Sequence, residues 1–78
     1  MESLEAIDSH VANDLVGNSH ISTVFLGVDY SYAGGQPFLY ETMVFGGPFN
    51  GKQIYYRTWE EAERGHKEMV EKVKAVVN

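Results

Sequence analysis

The stretch FLYETMVFGGPFNGKQIYYRTWEEAERGH, residues 38–66, decides the fold because it orders a strand, a tight turn, a second strand and a capped helix without interruption. Apolar residues predict a strand over 38–45, and GGPFNG supplies the glycines and asparagine that a hairpin turn needs. A second strand is predicted over 52–57. Thr58 and Glu61 then have the spacing of a capping box, which marks the start of a helix.

Beyond the cap, one side of the predicted helix is apolar. Residues at helical spacing form a single stripe made of Trp59, Ala62, His66, Met69, Val70, Val73 and Val77. A helix with one apolar stripe buries one side only. We therefore expect it to lie across one face of a sheet.

Two more strands are predicted upstream, over 10–16 and 19–28, with Gly17-Asn18 as a two-residue hairpin turn. This turn pairs residues whose numbers add to 35, so His10 would face Phe25 and His20 would face Leu15. Both faces of the strand 19–28 are mostly apolar, which is typical of a central strand covered on two sides.

The predicted fold class is α+β, a four-stranded antiparallel meander with one C-terminal amphipathic helix packed on one face. Residues 10–78 form a single domain, and residues 1–9 are expected to be a short helical turn or disordered. The chain has 78 residues and no cysteine, so its small core has no disulfide to support it. We expect a homodimer that covers the free sheet face or an edge strand.

The charge of the chain is −5, and all of this excess comes from residues 1–51, which contain six carboxylates and no lysine or arginine. A surface of this sign repels phosphate backbones, so we expect no direct nucleic acid binding. It attracts basic partners. No apolar run is long enough for a membrane helix and no signal peptide is visible, which favours the cytoplasm of the host cell.

Glu41 and His66 are the candidates for acid–base chemistry. A lone histidine on the buried stripe usually donates to a backbone carbonyl, and this is the preferred interpretation. The alternative pairs His66 with Glu41 as the acid and base of a small hydrolase. Neither a G-x-S-x-G motif nor a cysteine supplies a nucleophile, so we expect no enzymatic activity.

A metal site would draw on His10, His20 and His66 with Asp29 and Glu41, and none of these has the close spacing that presets a pair of ligands. The predicted hairpin register also keeps His10 and His20 from facing each other. We therefore expect no metal and no cofactor.

Tyr30, Tyr32, Tyr55, Tyr56 and Arg57 suggest an aromatic slot in which a nucleotide base could stack while the guanidinium reaches a phosphate. The competing interpretation is that these tyrosines pack against the helix or a partner subunit.

Phe49 lies at the predicted hairpin tip, where an exposed aromatic side chain more often anchors a partner protein than fills a core. We interpret it as a protein-binding residue.

Three blocks of sequence carry a family resemblance: ISTVFLGVD at 21–29, ETMVFGG at 41–47 and TWEEAERGH at 58–66. With them the chain resembles a family of small bacteriophage and prophage proteins that has no settled biochemical activity. Family members often have His where this chain has Tyr30, which weakens any metal or acid–base role for Asp29 and its neighbour. The resemblance implies a phage accessory protein that counters a host defence system, and it supplies no catalytic residue.

The leading hypothesis is a small acidic phage accessory protein that acts by non-enzymatic binding. It would inhibit or modulate a host defence protein by occupying a basic surface of that protein. The alternative is a sponge that sequesters a nucleotide second messenger in the tyrosine-lined pocket.

Overall fold

The computed structural model describes residues 10–26 and 38–77. Four strands, β1 (His10–Val16), β2 (Ser19–Phe25), β3 (Tyr40–Phe45) and β4 (Gln53–Tyr56), form one antiparallel sheet in the order β1-β2-β3-β4. One helix, α1 (Trp59–Val77), packs on it. The α+β meander is therefore confirmed. The expectation for residues 1–9 lies outside the described residues.

The first hairpin follows the predicted register along most of its length. Gly17 has a φ of 60° in the two-residue turn, and Leu15 faces His20. His10, however, faces Val24 and not Phe25, because an irregularity between His10 and Ala12 shifts the register by one residue. The prediction for His10 was therefore wrong.

The strands β2, β3 and β4 are each shorter than predicted. Hydrogen bonding between β2 and β3 continues one step past the strands, where the Leu26 N–H donates to the Leu39 carbonyl at 2.7 Å. Residues 27 and 28, the predicted end of β2, lie outside the described residues. β4 begins one residue later and ends one residue earlier than predicted.

The two turns at one end of the sheet pack against each other. Gly46 and Gly47 have φ values of 84° and 75°, and a Cβ atom on them would overlap the Asn18 carbonyl oxygen and the Ser19 side chain, respectively. The Ser19 hydroxyl also donates to the Gly46 carbonyl at 3.1 Å. Glycine is therefore required by both conformation and space at this contact.

The helix begins at the predicted cap, with one change in its partners. The Glu61 N–H donates to the Thr58 hydroxyl at 3.1 Å, as a capping box requires. The Glu61 carboxylate, however, accepts from the Arg57 N–H at 2.9 Å and not from Thr58. The reciprocal bond thus forms one residue further upstream.

The hydrophobic core lies between the sheet and α1. Its buried members are Ile21, Val44, Met69 and Val73, and half-buried Val16, Phe49, Ile54 and Val70 pack around them. Within the described residues, α1 covers only one face of the sheet. The second cover that the apolar composition of β2 predicts is not supplied by the residues that the structure describes.

Gly65 lets the side chain of Tyr56 pass beneath α1. A Cβ atom at this position would overlap the Tyr56 ring and hydroxyl. Tyr56 is buried on the helix-facing side of β4. A glycine inside a helix lowers the free energy of unfolding by about 1 kcal/mol relative to alanine. Here the missing side chain leaves room for the Tyr56 ring.

We predict that Gly65→Ala lowers the free energy of unfolding by about 1–3 kcal/mol, because the added methyl group overpacks the Tyr56 ring. Urea denaturation measures this change. As a control, Ala75→Gly at an exposed position of the same helix should cost about 1 kcal/mol whatever residue occupies position 56. In a Tyr56→Ala background, Gly65→Ala should become stabilising. Stabilisation by Gly65→Ala in the wild type would contradict the packing argument.

Candidate functional site

His66 lies beneath α1 with both ring nitrogens hydrogen-bonded. Its side chain is almost fully buried, at 3% exposure. Nδ1 lies 2.7 Å from the hydroxyl oxygen of Thr23 on β2, and Nε2 lies 2.8 Å from a carboxylate oxygen of Asp14 on β1. One helical residue is thereby tied to two neighbouring strands.

The hydrogen bonds continue across the sheet. The Thr23 hydroxyl bonds the Thr42 hydroxyl on β3, and the Tyr56 O–H on β4 donates to Thr42 at 3.0 Å. The three hydroxyl groups each have an acceptor if Tyr56 donates to Thr42, Thr42 donates to Thr23 and Thr23 donates to Nδ1 of His66. The imidazole then carries its proton on Nε2 and donates it to Asp14. We call these five residues the polar chain.

The register of β1 brings Asp14 to this place. Asp14 faces Ile21 across the first hairpin, and residues that face each other lie on the same side of a sheet. Ile21 is in the core, so Asp14 points toward α1 from the edge strand. Its side chain remains 53% exposed, which keeps the carboxylate partly hydrated.

The order carboxylate, imidazole, hydroxyl is that of a hydrolase triad. Thr23 and Thr42, however, are both completely buried and bonded to each other, so a substrate has no access to either hydroxyl in this conformation. The arrangement joins the helix to all four strands. Its role is therefore to fix the position of α1 on the sheet.

Glu41 and His66 are not brought together. Glu41 lies on the opposite face of the sheet, where its carboxylate accepts from the Gln53 amide at 3.0 Å. The acid–base pair suggested by the sequence was therefore wrong. The preferred interpretation, that His66 donates to a backbone carbonyl, was also wrong, because the His66 ring bonds the side chains of Thr23 and Asp14.

Sequence reasoning missed four members of the polar chain, Asp14, Thr23, Thr42 and Tyr56. A signal for one of them was present. The predicted pairing by numbers that add to 35 already places Asp14 opposite Ile21, and hence on the buried side. The contacts among the hydroxyls had no such signal, because they depend on how the helix packs.

Phe49, predicted to be an exposed anchor, is half-buried and packs against the core. The turn folds back on itself, since the Asn50 N–H donates to the Gly47 carbonyl at 3.1 Å and the Asn50 amide oxygen accepts from the Gly46 N–H at 2.7 Å. The compact turn carries the ring toward the helix side. The prediction of an exposed tip was therefore wrong.

The sheet face away from α1 is uncovered in the part of the chain that the structure describes, and we call it the open face. Pairing places its side chains in three rows: Leu15, His20 and Phe45; Asn13, Ser22, Met43 and Gln53; and His10, Val24, Glu41 and Tyr55. The first row is the most exposed apolar part, with Leu15 at 74% and Phe45 at 49%. The middle row is mainly polar.

Among the described residues, the predicted tyrosine slot does not include Tyr56. Tyr55 lies exposed on the open face while Tyr56 is buried beneath α1, so the two tyrosines point in opposite directions. Tyr30 and Tyr32 lie outside the described residues. Arg57 places its guanidinium 4.3 Å from the ring centre of Phe38, whose ring lies 5.9 Å from that of Tyr55.

Electrostatics at this corner are set by Glu41. The negative charge of Glu41 raises the pKa of Tyr55, and partial burial and a hydrogen bond to Glu41 add to the effect. The same charge repels a phosphate group placed nearby. At this corner the Glu41 charge therefore opposes an anionic ligand, whereas the Arg57 charge attracts one.

Within residues 10–26 and 38–77, no group of three histidine, aspartate or glutamate side chains is close enough to hold a metal ion. No helix in those ranges is both long enough and apolar enough to cross a membrane.

Comparison with protein-family models, with curated proteins and with solved structures gives no match. Function has therefore to be argued from the geometry of the chain itself.

We predict that Thr23→Val lowers the free energy of unfolding by about 1–3 kcal/mol, because it leaves buried polar groups of His66 and Thr42 without a partner. Chemical denaturation measures the change. The matched control is Ser22→Ala, the adjacent residue on the open face, which should stay within about 0.5 kcal/mol of the wild type. Equal effects at the two positions would contradict a structural role for the polar chain.

Burial raises the pKa of Tyr56 above its usual value of 10.0, and the Glu68 carboxylate adds to this shift. The unfolded chain therefore ionises first as the pH rises, and stability present below pH 10.0 is lost above it. We predict that the stability difference between wild type and Tyr56→Phe shrinks from about pH 9 to about pH 11. Urea denaturation across this range measures it, and a constant difference would contradict the assignment.

Proposed function

We propose that the protein acts by binding another protein through the open face, without catalysis. The observation that carries this proposal is the exposure of apolar side chains in one row of paired strands, namely Leu15 and Phe45 on either side of His20. Isolated exposed apolar residues are common on protein surfaces, but here the His20 ring lies 5.8 Å from the Phe45 ring and faces Leu15, so the three side chains form one row, and contiguous patches mark interaction sites. The first row, together with Tyr55 and Phe38 at the other end, gives the open face two apolar ends.

The partner that we propose is a host protein with a basic surface, bound by a phage accessory protein in the host cytoplasm. The net negative charge of the chain supports a partner with a positively charged surface. The phage origin and the modulation of a host defence system follow from the sequence resemblance and are part of the proposal.

A partner of different sequence fits the open face better than a second copy does. Two copies packed through this face would enclose two Glu41 carboxylates in one interface, and like charges in such a setting are costly. The homodimer expected from the sequence stays a prediction, which light scattering of the purified protein measures. Edge strands β1 and β4 are the other places at which copies could pair.

The second-messenger sponge ranks second. The Arg57 guanidinium stacked on Phe38 favours it, because such a pair can hold a base and a phosphate. The Glu41 charge beside Tyr55 opposes it. The geometry therefore supports a protein partner better than a nucleotide.

We predict that the double variant Leu15→Thr/Phe45→Thr folds normally and loses its partner, since hot-spot residues each contribute about 1–2 kcal/mol or more to binding. Threonine keeps the strand propensity of both sites. The measurement is a quantitative pull-down from a lysate of the bacterial host, followed by mass spectrometry and by affinity measurement with the captured protein.

The matched control is Val76→Thr, which replaces an exposed apolar residue on α1. It should capture the same protein as the wild type. Capture by all three forms alike, or by none, would contradict the proposal. A higher melting temperature with cyclic dinucleotides or ADP-ribose derivatives and no captured protein would favour the sponge instead.

A further inference from the structure

Glu41 is the one formally charged side chain among the paired strand residues of the open face. It lies on the central strand β3, between Val24 on β2 and Tyr55 on β4. Its side chain is half-buried there. The nearest residues in its row are thus an aliphatic and an aromatic side chain.

The carboxylate is held in place by its neighbours. The Gln53 amide donates to one carboxylate oxygen at 3.0 Å, and the Glu41 charge is felt by the Tyr55 hydroxyl, whose pKa it raises. A carboxylate held by donors at its sides has less conformational freedom to lose when a further group binds it.

No ion pair within the described residues neutralises this charge. Among the described residues, no lysine or arginine forms an ion pair with Glu41. The cation next along the strand, Arg57, lies over the Phe38 ring at 4.3 Å, beyond the end of β4. Glu41 therefore depends on water for part of its solvation.

Binding at the open face changes that situation. A partner that covers Leu15, Phe45 and Tyr55 also removes water from Glu41, which lies beside Tyr55 in the same row. A carboxylate that loses its water without gaining a cation carries a large energetic penalty. A purely apolar partner is therefore rejected, and a partner that brings a cation to this position is accepted.

We propose that Glu41 is the specificity-determining residue of the open face, and that it selects a partner whose lysine or arginine side chain pairs with it among apolar contacts. This inference rests on the proposed function, because it assumes that the open face is the binding surface. The partner's cation would donate to the Glu41 carboxylate while its aliphatic stem covers Tyr55.

The test selects short random peptides from a displayed library against the purified protein and against Glu41→Gln and Glu41→Lys. Glutamine keeps the size of the side chain and can still bond Gln53. Circular dichroism confirms that each variant is folded. The wild type should select peptides with a lysine or arginine beside apolar residues, and Glu41→Lys should select peptides with aspartate or glutamate at that place.

A peptide synthesised from the wild-type selection should bind Glu41→Gln about tenfold more weakly or worse, as expected for the loss of a hydrogen bond to a charged group. Its affinity for the matched control Glu63→Gln, on the exposed side of α1, should not change. The salt dependence of binding should also diminish in Glu41→Gln and not in Glu63→Gln.

The outcomes separate this inference from the proposed function. Peptides that need Leu15 and Phe45 but show no basic residue, or that bind Glu41→Gln as well as the wild type, would overturn the role of Glu41 and leave the binding face intact. If no selected peptide loses affinity on Leu15→Thr/Phe45→Thr, the open face itself is overturned as the binding surface.

Discussion

A single helix of about 10 Å diameter cannot cover both faces of a sheet of four strands, and this constraint governs the whole molecule. α1 contacts one face and buries Ile21, Val44, Met69 and Val73 there. The open face has no such cover from the described residues, and Leu15 and Phe45 are exposed on it. Stability therefore comes from one thin layer of contacts, whereas the surface available for binding is as wide as the sheet.

The polar chain shows how this thin layer holds α1 in one position. Apolar contacts alone are non-directional and would tolerate sliding of the helix over the sheet. The bonds from His66 to Asp14 and Thr23 are directional, and those through Thr42 and Tyr56 extend them to every strand. Because an unsatisfied buried polar group is costly, a displaced helix would lose more than the bonds themselves. Gly65 belongs to the same arrangement, since it admits the Tyr56 ring.

The polar groups on the two faces of the sheet thus differ in how fully they are paired. On the helix side each member of the polar chain has a partner within that chain of bonds, and the hydroxyls of Thr23 and Thr42 are buried. On the open face Glu41 has an amide partner but no cation. This asymmetry is the reason to look for function on the open face and for stability on the helix side.

The order of strands, the Gly17-Asn18 turn and the capped start of α1 were determined by the sequence alone, because they depend on local turn chemistry and on periodicity. The buried stripe of α1 was determined in the same way, except that Trp59 is 45% exposed. Which polar side chains meet was decided only by the tertiary structure. Glu41 and His66 both looked suited to acid–base chemistry, yet strand alternation places Glu41 on the face away from α1, which carries His66. Phe49 is half-buried and not exposed, because its turn folds back on the core. Contacts between distant residues depend on the position of the helix over the sheet, and no short stretch of sequence encodes that position.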